Sequence, residues 1–155
     1  MPKSYCFIGS IILILSVASW AGAEIQIDLT AIKLIESSNN YLAYNSQTRC
    51  YDLYQISEIC LKDFNQLRPA HYKPRDLFDP LVNKKIASWY FKRIEQMLES
   101  YKIPVSLTTV IAAYNWGIGN VLDWHKNSAR FKDLPAVTRR YIIKYKELTR
   151  RYSRQ

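Results

Sequence analysis

A glutamate at the end of an apolar helical stripe, Glu36, is the residue best suited to catalysis. Leu29, Ile32 and Ile35 recur at helical spacing, and Glu36 follows Ile32 by four positions, so its carboxyl group should lie near the same buried face. Burial favours the protonated form of a carboxyl group, and a general acid must hold a proton. An ordinary polar helix end is the alternative, because most glutamates lie on the surface.

Other kinds of catalytic centre lack their residues in this sequence. It contains no H-E-x-x-H, paired C-x-x-C, G-x-S-x-G or phosphate-binding glycine loop, and its two histidines are too isolated for a metal site. Gln55 and the Tyr114-Asn115 pair are the polar groups that could support Glu36. Such carboxylate, amide and tyrosine side chains suit a neutral polyhydroxylated substrate, whose sugar rings stack on aromatic faces. We therefore expect no metal and no cofactor.

The first residues have the pattern of a signal peptide. Lys3 gives a positive start, residues 11–15 an apolar core, and residues 21–23 a small-residue cleavage site. We expect cleavage after Ala23, which would leave residues 24–155 as one exported, periplasmic domain. A retained membrane anchor is the alternative, although the apolar stretch is short for a membrane span.

The net charge of the chain indicates which classes of partner it could bind. The formal charge of +9 falls by one if Lys3 is removed with the signal. Outside the cytoplasm a basic surface attracts anionic polymers or anionic membrane faces. A generally basic, soluble surface without such a partner is the alternative. The export signal argues against nucleic acid as a partner.

Two cysteines, Cys50 and Cys60, remain after Cys6 is lost with the signal peptide. In an oxidising compartment this pair predicts a disulfide that would fix the segment before Gln55, with two buried thiols as the alternative.

Four predicted helices begin at polar capping residues. These N-caps are Asp28, Ser57, Asp79 and Ser106. The first helix should end near Ser38 and the second before Pro69. The third, started strongly by Asp79-Pro80, should be the longest and end near Tyr101, a residue of its apolar stripe.

The remaining chain contains two further helix signals and one irregular segment. Gly117 and Gly119 should break the fourth helix sharply, and a short helix should follow. The last helix should present an apolar face that includes Val137, and a cationic face that is either solvated or in contact with wall or membrane. Residues 41–54 show no helical period. The sequence therefore predicts a mainly α fold with at most a small β-turn element.

Several short motifs occur in an informative order. Glu36-Ser37 ends the first helix, residues 52–56 read DLYQI, residues 79–86 begin DP and contain NKKI, and residues 112–121 read AAYNWGIGNV. In that order they resemble the E-S, G-L-M-Q-I, D-P-x-x-N-I-x-x-G and A-A-Y-N-A-G-x-G-x-V motifs of the soluble-lytic-transglycosylase (SLT) type of lytic transglycosylase, within the lysozyme-like superfamily. Thr138 and Tyr141 resemble its final E-T-x-x-Y motif. The resemblance extends over nearly all of the chain after the signal.

The resemblance implies a lysozyme-like fold and an activity on peptidoglycan. Glu36 would act as acid and then as base at the bond between N-acetylmuramic acid and N-acetylglucosamine, giving a 1,6-anhydro product. One protein carboxylate would suffice, because the acetamido group and 6-hydroxyl of the substrate supply the nucleophiles. The substrate-binding or supporting residues implied by the resemblance are Ser37, Gln55, Tyr114, Asn115 and Tyr141.

Three departures from the family pattern keep alternatives open. Asp52 stands where the family usually has glycine, Tyr54 where it often has methionine, and Val137 where it has glutamate. Asp52 could be structural, or could supply a second carboxylate for a lysozyme-like hydrolase. An inactive peptidoglycan-binding or assembly protein is the other alternative. By resemblance alone, the protein would be a monomer that opens the wall locally for a secretion or conjugation system.

Overall fold

The computed structural model describes residues 25–152, so the predicted signal peptide lies outside the described residues. Within this range the chain forms six α-helices, a three-stranded sheet and two short 3-10 helices at Pro74–Phe78 and Phe131–Asp133. The helices are α1 Leu29–Glu36, α2 Glu58–Leu67, α3 Pro80–Ser100, α4 Leu107–Trp116, α5 Ile118–Asn127 and α6 Ala136–Tyr152. The strands are β1 Tyr44–Asn45, β2 Cys50–Tyr51 and β3 Ile56–Ser57. The predicted mainly α class with a small β element is confirmed.

The predicted helix starts are confirmed by their capping bonds. Asp28, Ser57, Asp79 and Ser106 each accept hydrogen bonds from backbone N–H groups in the first turn of the helix that follows. These N–H groups have no partner within the helix, so a short polar side chain just before them satisfies a local need. In the range 25–152, no helix has the length and apolar character needed to cross a membrane.

The core is centred on α4. Val110, Ile111, Ala112 and Ala113 are completely buried, as expected for a helix that is apolar on all sides. Its neighbours are α3, α5 and α6. Because α4 is enclosed by these helices, the residues at its C-terminal end are held in fixed positions.

The small sheet is antiparallel and is fixed by α3. Strand β2 pairs with both β1 and β3, with Tyr51 opposite Tyr44 on one side and Ile56 on the other. The buried side chain of Asn83 on α3 donates to the carbonyl of Tyr51 (3.0 Å) and accepts from the N–H of Tyr54 (3.1 Å). The segment between β2 and β3 is therefore clamped at both ends.

Three details of the predicted helices are wrong. Tyr101 was predicted on the apolar face of α3, but it caps the end of that helix and is 57% exposed, because Phe91 and Leu98 occupy the core positions. Val137 was predicted on the apolar face of the last helix, but it is 61% exposed at the start of α6. Gly119 lies inside α5, and only Gly117, with φ of 92°, interrupts the chain.

Candidate active site

Glu36 ends α1 on the wall of a cavity of about 250 Å³. Gln55, from the segment between β2 and β3, and Tyr114 and Asn115, at the end of α4, line the same cavity. Four of the residues that the sequence singled out are thus brought together from three separate parts of the chain. Other lining side chains, which the sequence analysis missed, are Asn45, Thr48, Ser57 and Tyr90.

The carboxyl group of Glu36 is largely buried and has one close polar neighbour. The hydroxyl of Tyr141, on α6, donates a hydrogen bond of 2.6 Å to Glu36 Oε1. Burial raises the pKa of Glu36, and the hydrogen bond from Tyr141 offsets part of that rise. At a given pH, Glu36 therefore keeps its proton more often than an exposed glutamate does. Tyr141 contacts Glu36 without lining the cavity.

Ser37 lies behind the cavity rather than on its wall. Its hydroxyl is 3.1 Å from the carbonyl of Lys33 in α1 and 3.1 Å from the carbonyl of Leu53. It therefore links the end of α1 to the segment that carries Gln55. After it, the chain turns away through Ser38 and Asn39, which have φ of 54° and 65°.

Tyr114 is held by both its hydroxyl and its ring. The hydroxyl donates a hydrogen bond of 2.6 Å to the carbonyl of Tyr54. The ring stacks on Phe91, with 4.3 Å between ring centroids, and approaches Tyr90 at 5.9 Å. Burial, and then the nearby carboxylate of Glu36, raise the pKa of Tyr114 well above its ordinary value. It thus remains a neutral hydrogen-bond donor.

Gln55 is held by the backbone of Asp52. The carbonyl of Asp52 accepts bonds from the Gln55 N–H (3.2 Å) and the Gln55 side-chain Nε2 (2.9 Å). Both residues have left-handed backbones, with φ of 60° at Asp52 and 48° at Gln55. This tight turn directs the Gln55 side chain toward the cavity wall.

The Asp52 carboxyl group does not line the cavity that contains Glu36. Asp52 is 0% exposed, and neither of its two carboxylate oxygens makes a hydrogen bond of good geometry in the described part of the chain. Burial raises the pKa of Asp52 to about 6, the Leu53 N–H offsets part of this rise, and the nearby acid Asp79 adds to it. The structure thus does not bring a second carboxylate to the cavity through Asp52.

The predicted disulfide is not present. Cys50 and Cys60 are free thiols, and both line the cavity. The Cys50 thiol donates to the carbonyl of Thr48 at 3.6 Å, whereas Cys60 is buried in the first turn of α2. Burial raises the pKa of both thiols, that of Cys60 to about 12. An even number of cysteines permits a bond but does not supply the geometry that it requires.

Within the described residues, neither a metal-binding cluster nor a larger second cavity involves the residues predicted for the site. Among residues 25–152, no group of three or more His, Cys, Asp or Glu side chains could hold a metal ion. A larger cavity of about 440 Å³ lies between the N-terminal segment and α3, beside Ile27 and Phe91. None of the residues predicted for the site lines it.

Comparison with known proteins gives the family context of this cavity. Residues 19–136 match the family model described as the transglycosylase SLT domain. A search of curated proteins finds no significant match. Among solved structures, the 70 kDa soluble lytic transglycosylase SLT70 from Escherichia coli is similar, with 25% identity and a TM-score of 0.64 over 76% of this chain. The match covers 20% of that much longer enzyme.

Proposed function

Because the chain belongs to the transglycosylase SLT family, within the lysozyme-like superfamily, we propose that it is a peptidoglycan lytic transglycosylase whose catalytic acid and base is Glu36. The observation that carries this proposal is the largely buried Glu36 carboxyl group, with its raised pKa and its bond to Tyr141, on the wall of a cavity. A carboxyl group that keeps its proton in a cleft is suited to protonate a leaving oxygen.

The proposed reaction uses Glu36 twice. It first donates its proton to the glycosidic oxygen between N-acetylmuramic acid and N-acetylglucosamine, and the acetamido group of the substrate stabilises C1. The Glu36 carboxylate then takes the proton of the 6-hydroxyl, whose oxygen attacks C1 to give the 1,6-anhydro product. Proton donor and acceptor are the same group, so the enzyme ends the cycle as it began. The position of Asp52 outside the cavity favours this route over a hydrolytic one that uses Asp52.

The other cavity residues would hold the glycan. We assign substrate contacts to Gln55, Tyr114 and Asn115, because their amide and hydroxyl groups can bind the hydroxyl and acetamido groups of a sugar. Tyr141 and Ser37 would support them, Tyr141 by orienting the Glu36 carboxyl group and Ser37 by fixing the end of α1. No metal or cofactor is required by this reaction.

The proposed substrate also suggests a location. Peptidoglycan lies outside the cytoplasm, so we propose that residues 1–23 act as an export signal and that residues 24–155 work as a monomer in the periplasm. Such an enzyme could open the wall locally for a secretion or conjugation system. That role follows from the resemblance to the family.

The direct test is digestion of purified sacculi, followed by mass spectrometry of the released muropeptides. We expect products with 1,6-anhydro ends, and we expect Glu36→Gln to lower the release rate by about 10²–10⁴-fold, the usual contribution of a general acid. The matched control is Glu58→Gln. Glu58 also accepts a hydrogen bond from a tyrosine hydroxyl, that of Tyr51 at 2.8 Å, but it does not line the cavity.

The products and the variants separate the alternatives. Reducing ends in place of anhydro ends would indicate a hydrolase. Binding to sacculi without release would indicate a wall-binding or assembly protein. If Glu36→Gln releases muropeptides as fast as Glu58→Gln, the catalytic assignment of Glu36 is wrong.

A further inference from the structure

Asp52 has an environment that is unfavourable for a carboxylate. It is 0% exposed, and neither of its carboxylate oxygens makes a hydrogen bond of good geometry within residues 25–152. A carboxylate is costly to bury in this way, because it loses its hydration and the nearby N–H of Leu53 compensates only in part. The protonated carboxyl group is neutral and fits the same space at lower cost.

The charged and titratable groups around Asp52 do not relieve this cost. From the start of α3, the acid Asp79 acts on it and disfavours its ionised form further. Tyr54, in the same segment, is the other titratable neighbour, and the charge of Asp52 contributes to a raised pKa of the Tyr54 phenol. Asn83 binds the main chain of this segment, at Tyr51 and Tyr54, and not the Asp52 carboxylate.

The backbone of Asp52 is the direct support of Gln55. Its N–H donates to the carbonyl of Ala43 at 2.7 Å, and its carbonyl holds both the N–H and the side-chain amide of Gln55. A movement of the Asp52 backbone toward water would disturb these bonds and would therefore also move Gln55.

We propose that Asp52 is a positioning residue that holds Gln55 in the substrate cavity only while its own buried carboxyl group is protonated. This inference rests on the proposed function, because it assigns Gln55 a contact with the glycan. Ionisation drives the Asp52 carboxylate toward water, opens the turn between β2 and β3, and withdraws the Gln55 amide from the cavity. Substrate binding, rather than the proton transfer of Glu36, is then what weakens.

The sign of the pH dependence follows from the direction of the shift. The ordinary pKa of Asp52, 3.8, is raised to about 6 in the folded protein. The stabilising effect of its proton is fully present below about pH 4, and it is lost as the pH rises through about 6. We therefore expect the protein to lose both thermal stability and substrate affinity between pH 5 and pH 8.

The test compares the parent with Asp52→Asn from pH 5 to pH 8, because the amide has nearly the same shape but cannot ionise. We expect the difference in Tm between the two proteins to shift by roughly 3–6 °C in favour of the variant across this range, on the scale of 2–4 °C per kcal/mol for a domain of this size. The KM of the parent for soluble glycan strands should rise at least about threefold, while that of the variant stays level. Asp123→Asn, at a side chain 75% exposed, is the matched control and should behave as the parent.

Two further variants keep the test decisive. Asp52→Gly, which suits the left-handed φ of 60°, replaces Asp52→Asn if the latter does not fold. In Gln55→Ala, KM should no longer rise between pH 5 and pH 8, whereas Tm should still fall over this range. A purely structural role of Asp52 would not separate the pH dependence of KM from that of Tm. Parallel pH profiles of the parent and the Asp52 variants in both Tm and KM would overturn the proposal. The Tm comparison needs no activity, so its result stands even if the protein does not cleave peptidoglycan.

Discussion

At the scale of single residues, the hydroxyl of Tyr141 is the group that most directly affects the protonation of Glu36. It donates its 2.6 Å bond to the carboxylate and so lowers a pKa that burial raises. In Tyr141→Phe this bond is lost, and the pKa of Glu36 should rise further. We expect the alkaline limb of the kcat profile to move to higher pH, and the maximum kcat to fall about tenfold because the carboxyl group is less well oriented.

A matched control for this change lies one helical turn away. Tyr145 is 2% exposed on α6, and its hydroxyl accepts a bond of 2.8 Å from the Asp28 N–H, so it touches α1 but not Glu36. Tyr145→Phe should lower the free energy of unfolding without moving the kcat profile. If both phenylalanine variants shift the profile equally, the effect comes from the packing of α6 and not from the bond to Glu36.

The sequence was a good guide to residues that follow local signals and a poor guide to those that act at a distance. The place of Glu36 at the end of an apolar helical stripe could be predicted, because the stripe is visible within the eight residues of α1, whereas its catalytic role was inferred from the resemblance to the family. Asn83 could not, because its partners at Tyr51 and Tyr54 are 32 and 29 positions away. Tyr90 has the spacing of a core residue on α3, and only the fold places it on the cavity wall.

At the scale of elements, the junction of α4 and α5 depends on one glycine and not on the other. Gly117 has φ of 92°, a region that side chains disfavour, whereas Gly119 lies inside α5 with nothing within 4 Å of an added Cβ. Gly117→Ala should therefore destabilise the protein by about 1–3 kcal/mol. Gly119→Ala should stabilise it by up to about 0.5–1 kcal/mol, because Gly119 lies in the first turn of α5 and alanine favours helical backbone more than glycine does.

Urea denaturation of the two alanine variants measures both effects, and each variant is the control for the other. A loss of stability in both would mean that Gly119 has a packing role that the open space around it does not suggest. Because Gly117 follows Tyr114 and Asn115 within one turn, Gly117→Ala should also lower muropeptide release, while Gly119→Ala should leave it unchanged.

The accuracy of the predicted elements has a simple physical basis. Helix starts were predicted well because an N-cap is a local bond between a side chain and the next few N–H groups. Helix faces were predicted less well. Apolar residues on α3 fit two different helical faces at a spacing of three or four, one with Tyr101 and one with Phe91 and Leu98. Packing against the neighbouring elements, α4 among them, buries the second face.

At the scale of the whole molecule, the basic charge is concentrated in part on one exposed helix face. Arg140, Lys144 and Arg151 are exposed on α6, on a face next to the one that contains Tyr141. With a formal charge of +9, the protein should bind anionic cell-wall material less well as salt rises. We expect the binding of Glu36→Gln protein to sacculi, measured by co-sedimentation, to weaken at least about threefold between 0.05 and 0.3 M NaCl.

The contribution of α6 can be measured separately. Replacing Arg140, Lys144 and Arg151 with glutamine should weaken binding at low salt more than the same replacement at three exposed lysines on other elements. The control lysines are Lys62, Lys84 and Lys102. Equal losses in the two triple variants would mean that the charge acts as a diffuse field and that α6 makes no particular contact.

The bonds between α1 and α6 also determine when the site can form. Tyr141 reaches Glu36 across 105 residues of chain, and Tyr145 reaches Asp28 across 117. Contacts between such distant residues form late in folding, because the entropy of closing a long loop must be overcome first. A nascent chain therefore holds Glu36 long before it holds the helix that orients it. The proposed lytic activity should therefore begin only after α6 has been synthesised and Tyr141 has reached Glu36.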